Sequence, residues 1–184
     1  MTPIKNLLTL IVSPKKGWER ISQEGISIEQ LSSTLLYPIL GLFAIIIFLL
    51  EIEFTSLRSD SGIERAIQYA VIGFMQFFGA YYLISFIAKK VFKNYNTNKC
   101  NTYTMYITSI TVLFYILMII FSSYINYIAP LSLYIIYLGW TGYKYINSES
   151  NKTNSIFVIT ISVTTIMVPI IISLILRTLL SLIE

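Results

Sequence analysis

Long apolar runs separated by short polar segments dominate the hydrophobic pattern of this chain. Five such runs follow the first 33 residues, and each approaches the roughly 20 residues that a membrane-spanning helix needs. The runs cover residues 34–52, 66–87, 106–125, 128–145 and 156–176. The pattern therefore predicts an all-α, polytopic membrane protein with a single five-helix transmembrane domain over residues 33–184.

Polar turn residues separate the third run from the fourth. Ser122, Ser123 and Asn126 interrupt the apolar sequence, and Pro130 follows them. A single helix over residues 106–145 would be about twice as long as a bilayer is thick, so the two runs are expected to form a tight helical hairpin. The fourth run is the shortest of the five.

Residues 1–32 are expected to form a cytoplasmic, interfacial amphipathic region. A first short helix has one apolar stripe, and Lys5 and Asn6 lie on its other side. A second helix begins at Ser13-Pro14, because serine caps helices and proline is tolerated at the first helical position. The stripe consists of Ile4, Leu7, Leu8 and Ile11.

The second helix carries cations beside a tryptophan, which is typical of a helix that lies on a bilayer surface. Its predicted membrane-interface anchors are Lys15, Lys16, Trp18 and Arg20. Glu24-Gly25 indicates the end of this helix. Ser27 followed three residues later by Gln30 matches a capping box, which predicts a new helix that continues into the first span.

Composition supports the membrane class and excludes several kinds of chemistry. Charged residues make up 12% of the chain, against about 25% in a typical soluble protein. Histidine is absent and there is one cysteine, Cys100, so Ser-His-Asp and Cys-His catalysis and common metal sites are not expected. We expect a non-enzymatic protein with no catalytic residue, metal or cofactor, and with no nucleic-acid partner.

The distribution of basic residues predicts the orientation in the membrane. With a cytoplasmic N-terminus, 10 of the 13 lysines and arginines fall in cytoplasmic segments. This follows the positive-inside rule. We therefore expect the N-terminus inside and the C-terminus outside, with contact between the basic segments and anionic lipids. The asparagine-rich residues 94–101 are expected to form a solvated cytoplasmic loop.

Few polar residues lie inside the predicted spans. Gly73, Gln76 and Ala80 share one face of the second span, which favours close helix packing over a solute-lining role. Pro38 and Pro169 predict kinks in the first and fifth spans, because proline has no N–H to donate. A second group of interface anchors is expected at the end of the fourth span, consisting of Trp140, Tyr143 and Lys144.

These features together resemble the bacterial branch of the Yip1 family of small five-span membrane proteins. The resemblance rests on residues 13–21, on Tyr37-Pro38 with Gly41 one turn later, and on residues 139–144. It implies a trafficking-like role in membrane organisation. The eukaryotic relatives bind prenylated GTPases and characteristically have a longer cytoplasmic N-terminal region. Only 33 residues precede the first apolar run here, so the resemblance is not expected to extend to GTPase binding.

The expected function is thus non-enzymatic and based on helix packing, self-association or binding of another membrane protein. The expected location is the cytoplasmic membrane of a bacterium. The alternative is a small permease or channel subunit for a neutral solute. The absence of charged residues at mid-membrane favours the first hypothesis, although a passive pore needs no such charges.

Overall fold

A computed structural model describes residues 2–55, 62–91, 96–121, 131–146 and 155–182. Within these ranges every regular element is helical. Ile28–Leu31 is one short α-helical turn, followed by a π-helical turn at Ser32–Leu36. In chain order the helices are α1 Pro3–Val12, α2 Pro14–Glu24, α3 Ile28–Leu31, α4 Tyr37–Thr55, α5 Gly62–Val91, α6 Thr97–Ile120, α7 Leu131–Ile146 and α8 Ser155–Ser181.

Four helical segments of the described chain are long and apolar enough to cross a membrane, so the prediction of an all-helical, membrane-embedded fold is confirmed at this level. They are Ile28–Glu53, Gly62–Ile87, Thr97–Ile120 and Val158–Ser181. Helix α7 has 16 described residues, about 24 Å at 1.5 Å per residue, which is shorter than the roughly 30 Å hydrocarbon core. The predicted turn at residues 122–130 lies outside the described residues.

Helix α6 forms the centre of the bundle. Of its spanning window 67% is buried, against 22% for Ile28–Glu53 and 33% for Val158–Ser181. It contacts α4, α5, α7 and α8, and small hydroxyl residues on it allow this close packing. The Thr104 hydroxyl lies 3.2 Å from that of Ser85 on α5, and the Thr111 hydroxyl donates to the Ile107 carbonyl.

The first turns of α6 correct the sequence-based boundary. Asn96 caps the helix through its side-chain oxygen, which accepts from the Asn98 and Lys99 amides. The helix therefore begins at Thr97, and Cys100 and Asn101 are buried within it. The prediction of a solvated loop over residues 94–101 was wrong from Thr97 onward, because an N-cap and tertiary contacts outweigh the low helix propensity of these polar residues.

The start of the first long segment agrees with its predicted signals. Gly25 ends α2 with a left-handed φ of 56°, and the Ser27 hydroxyl accepts from the Gln30 amide as a capping box requires. The π-helical turn at Ser32–Leu36 lies just before Pro38. In this turn the Tyr37 amide donates to the carbonyl of Ser32, five residues earlier. This shifted pattern precedes Pro38, which has no amide hydrogen to continue the regular ladder.

Large apolar side chains cover the outward faces of the long helices. On α4 these are Leu42, Ile45 and Leu49, which recur on one side of the helix. On α8 the residues Ile159, Val163 and Met167 do the same. Contiguous apolar surface of this kind is unusual for a soluble monomer and is suited to contact with lipid.

Candidate functional site

The first candidate site is a helical hairpin formed by α1 and α2, residues 3–24, which we call the N-terminal hairpin. The two helices run antiparallel, since Asn6 donates to the Glu24 carboxylate and Arg20 donates to the Thr9 hydroxyl. They cross at Gly17. A Cβ atom at Gly17 would lie 2.5 Å from the Leu10 Cα atom, so this crossing requires glycine.

Trp18 attaches the N-terminal hairpin to the bundle. Its side chain is only 2% exposed, and its ring stacks on Tyr103 of α6 with centroids 5.2 Å apart. The indole N–H donates to the Leu138 carbonyl of α7 at 3.0 Å. A Cβ atom at Gly142 would lie 2.7 Å from the Trp18 Nε1 atom, so the absence of a side chain at Gly142 makes room for the ring.

Two of the segments that carry the family resemblance therefore meet in space. Trp18 belongs to residues 13–21, and Gly142 belongs to residues 139–144. A second contact supports the same docking, because the Tyr134 hydroxyl donates to the Ile11 carbonyl at 2.7 Å. The sequence separation of more than 100 residues between these partners means that tertiary structure alone brings them together.

The placement of Trp18 and Asn6 differs from the sequence-based expectation. Trp18 packs inside the protein instead of facing the bilayer interface, because Gly142 and Tyr103 together form a cleft for its ring. Asn6, expected on the polar side of the first helix, is fully buried and hydrogen-bonds to Glu24. Burial of an amide is tolerated when it has such a partner.

The cationic residues of the N-terminal hairpin remain on its surface. Lys15, Lys16 and Arg20 are exposed. Ile4, Leu8 and Val12 are also exposed, and their spacing of four residues puts them on one stripe of α1. The stripe of α1 that packs on the protein instead contains Leu7 and Leu10. The hairpin thus presents both cations and apolar side chains outward.

The predicted anchors of α7 have different environments. Trp140 is 44% exposed and points away from the packed core, whereas Tyr143 is 1% exposed. Tyr143 therefore lies inside the protein instead of at a lipid-facing position. The side chain of Lys144 lies outside the described residues.

The second candidate site is a cavity of about 620 Å³ between α4, α5, α6 and α8. We call it the Gln76 cavity. Its wall is mostly apolar, and the polar side chains that line it are Glu51, Tyr69, Gln76, Tyr115, Ser173 and Arg177. The Arg177 guanidinium lies 5.1 Å from the centre of the Tyr69 ring, which is a cation–π distance.

The predicted α5 face divides between packing and this cavity. A Cβ atom at Gly73 would overlap the Ile47 Cδ1 atom and would lie 3.4 Å from the Phe43 ring, so α4 and α5 approach closely there. Ala80 is fully buried. Gln76 is 8% exposed, and Gly73 and Gln76 both line the cavity. The face thus combines close helix approach with one amide at a cavity wall.

Three aromatic rings pack against one another beside the Gln76 cavity. Phe77 is fully buried and meets Phe43 and Tyr115 edge to face, with centroid distances of 5.2 and 5.0 Å. Phe43 and Tyr115 themselves line the cavity. Such edge-to-face contacts are favourable, so the three rings form one packed cluster, of which Phe43 and Tyr115 reach the cavity wall.

The two predicted kink positions lie in different settings. Pro38 is exposed near the start of α4, whereas Pro169 lies inside α8 and lines the Gln76 cavity. The hydroxyls of Thr164 and Thr165 both donate to the Ile161 carbonyl. These hydroxyls therefore bond one turn upstream, not to the Thr165 carbonyl that Pro169 leaves without its amide donor.

Sequence reasoning missed several residues that build these sites. Gly17 and Tyr103 carried no signal of their own, although the position of Gly17 beside Trp18 was visible. Tyr69 and Arg177 are far apart in the chain and only the fold pairs them. Among the described residues no group of three or more histidine, cysteine, aspartate or glutamate side chains is placed to hold a metal ion.

Comparison with known proteins identifies no similar protein. No protein-family model matches the chain, and no match was found among curated proteins or solved structures.

Proposed function

We propose that this chain is a non-enzymatic membrane protein of the Yip1 type that acts by binding a protein partner, either a second copy of itself or another membrane protein. In this proposal α7 is a fifth span, the N-terminus is cytoplasmic and the protein resides in the cytoplasmic membrane of a bacterium. The single observation that carries the proposal is the docking of the N-terminal hairpin by Trp18.

Docking makes the hairpin a firmly attached, outward-facing surface. A helix pair tethered only by its chain would lose conformational entropy each time it bound a partner. A hairpin already held by the Trp18 ring and by the Tyr134 hydroxyl loses less, which favours binding. Its exposed Lys15, Lys16 and Arg20 would then face acidic groups at the membrane surface.

Passage of a solute is less well supported. A permease needs a route along the bundle, and the rings of Phe43, Phe77 and Tyr115 pack edge to face between α4, α5 and α6 beside the Gln76 cavity. We therefore propose binding of a partner, not transport, as the main function.

Site-specific photo-crosslinking in native membranes tests this proposal. A photoreactive amino acid at Lys16, on the hairpin, should give discrete protein adducts. The same amino acid at Leu133, an exposed position on α7, is the control and should give lipid adducts. An adduct at about twice the 21.1 kDa mass of the chain indicates self-association, and other masses identify a partner.

For a charge-reversal test the photoreactive amino acid is placed at Glu19, an exposed neighbour. Replacement of Lys15, Lys16 and Arg20 together with glutamate should then abolish the protein adducts. Lipid adducts alone at Lys16, with the protein folded, would contradict partner binding by the hairpin.

A further inference from the structure

We propose that the Gln76 cavity binds a small neutral amphiphile, a molecule with an apolar body and one hydroxyl or carbonyl oxygen. This inference goes beyond the proposed function and does not depend on it. It concerns the opposite end of the bundle from the N-terminal hairpin.

The size and wall of the cavity suit such a molecule. Ligand pockets are typically about 300–1,000 Å³ and mostly apolar, with a few polar groups that orient the ligand. The volume here is about 620 Å³, and the apolar wall includes Ile47, Ile72 and Ile119. Burial of a hydrocarbon chain against these side chains is favourable.

The Gln76 amide supplies the orienting group. Gln76 is 8% exposed and lines the cavity. Within the part of the chain that the structure describes, no hydrogen bond to the Gln76 amide is found. A buried amide is normally hydrogen-bonded, and it both donates and accepts. A ligand hydroxyl or carbonyl would meet that requirement in an apolar setting.

The charges at the cavity favour a neutral ligand. Glu51 and Arg177 have opposite signs, so together they give no net attraction for an anion or a cation. Gln76 lies seven residues along α5 from Tyr69, about 10 Å deeper along the helix axis. A charged group at that depth would be poorly solvated, whereas a hydroxyl needs only one hydrogen bond.

The cavity also opens sideways toward the membrane. Ile170 and Leu174 line it and are 41% and 60% exposed. An amphiphile concentrated in the bilayer therefore has a lateral route between α8 and its neighbours. Entry from the lipid phase fits an apolar ligand better than entry from water.

Photolabelling of the full chain in lipid nanodiscs tests the proposal. The probes are octanol and octane that each carry a diazirine, and adducts are located by mass spectrometry. The octanol probe should label cavity residues such as Tyr115 and Ile72, and excess unlabelled octanol should compete. Adducts on outward residues such as Leu42 report bilayer partitioning and should not be competed.

Two pairs of variants make the test specific. Ile119→Trp should fill the cavity and lower the competed labelling at least tenfold, whereas Ile120→Trp, on the exposed neighbour, should leave it unchanged. Gln76→Leu should weaken octanol competition about threefold, which corresponds to the roughly 0.6 kcal/mol of a hydrogen bond within a membrane. Gln68→Leu, on the same helix but outside the cavity wall, should have no effect.

Leucine is well tolerated in a membrane bundle, so Gln76→Leu remains informative even where Ile119→Trp lowers the folded yield. Labelling that excess octanol fails to compete would overturn the binding site. Equal labelling by the octane and octanol probes, unchanged in Gln76→Leu, would overturn the assignment of a hydroxyl or carbonyl ligand.

Discussion

At the scale of single residues, the absence of a side chain is as decisive here as any functional group. Gly17 permits the crossing of α1 and α2, and Gly142 permits the Trp18 ring to lie against α7. Trp18 then satisfies its indole N–H at the Leu138 carbonyl. A tryptophan is most stable in an interior when its N–H finds such a partner, so glycine and tryptophan act together.

Gly142→Ala should therefore destabilise the protein, because its Cβ atom would collide with an indole ring already held between Tyr103 and α7. Overpacking of this kind costs about 1–3 kcal/mol. Thermal unfolding in detergent measures the loss. The matched control is Gly41→Ala, where a Cβ atom meets nothing within 4 Å. It should be neutral or stabilising by up to about 1 kcal/mol, since alanine favours helix over glycine.

An equal loss of stability in both variants would contradict a specific role for the close contact between Gly142 and Trp18.

At the scale of helices, pairs of elements decide where each helix begins and how closely it packs. The first turns of α6 are polar in sequence, yet Asn96 caps them and Ser85 of α5 contacts them. Helices α4 and α5 approach at Gly73, where Ile47 occupies the space of the missing side chain. Boundaries and separations of helices are thus properties of neighbouring helices as well as of local sequence.

Gly73→Leu should separate α4 from α5 and lower the melting temperature strongly, because a leucine side chain cannot fit where even a Cβ atom overlaps Ile47. Gly73→Ala should cost much less, since the Ile47 terminal methyl can rotate away. Gln76→Leu should also be mild, because the described residues give the Gln76 amide no hydrogen bond to lose and leucine suits an apolar setting. Thermal unfolding of the three variants gives the order, and a Gln76→Leu loss larger than that of Gly73→Leu would contradict a packing role for this face.

At the scale of the whole molecule, the number of spans and their orientation set which surfaces meet which compartment. Four segments are long and apolar enough to span, and the proposed fifth, α7, has 16 described residues. The charge distribution predicts a cytoplasmic N-terminus. The N-terminal hairpin and the Gln76 cavity lie toward opposite ends of the bundle.

Reporter fusions test this topology. A reporter active only in the cytoplasm should work after Lys93 and after Ser150, and it should be silent after Asp60 and after Glu184. The physical reason is that each span reverses the side on which the chain emerges. Silence at Ser150 together with activity at Glu184 would show four spans, with α7 packed on the bundle without crossing it.

The sequence by itself determined the class of this protein. Apolar runs of membrane length, low charge, the capping box at Ser27 and the break at Gly25 are local properties, and local properties can be seen along a chain. Tertiary structure alone decided which residues meet. It moved Trp18 and Asn6 from an expected surface to the interior, extended α6 to Thr97 and assembled the Gln76 cavity from four helices. Periodicity shows that a face is apolar, but lipid and a neighbouring helix are equally apolar partners, so only packing distinguishes them.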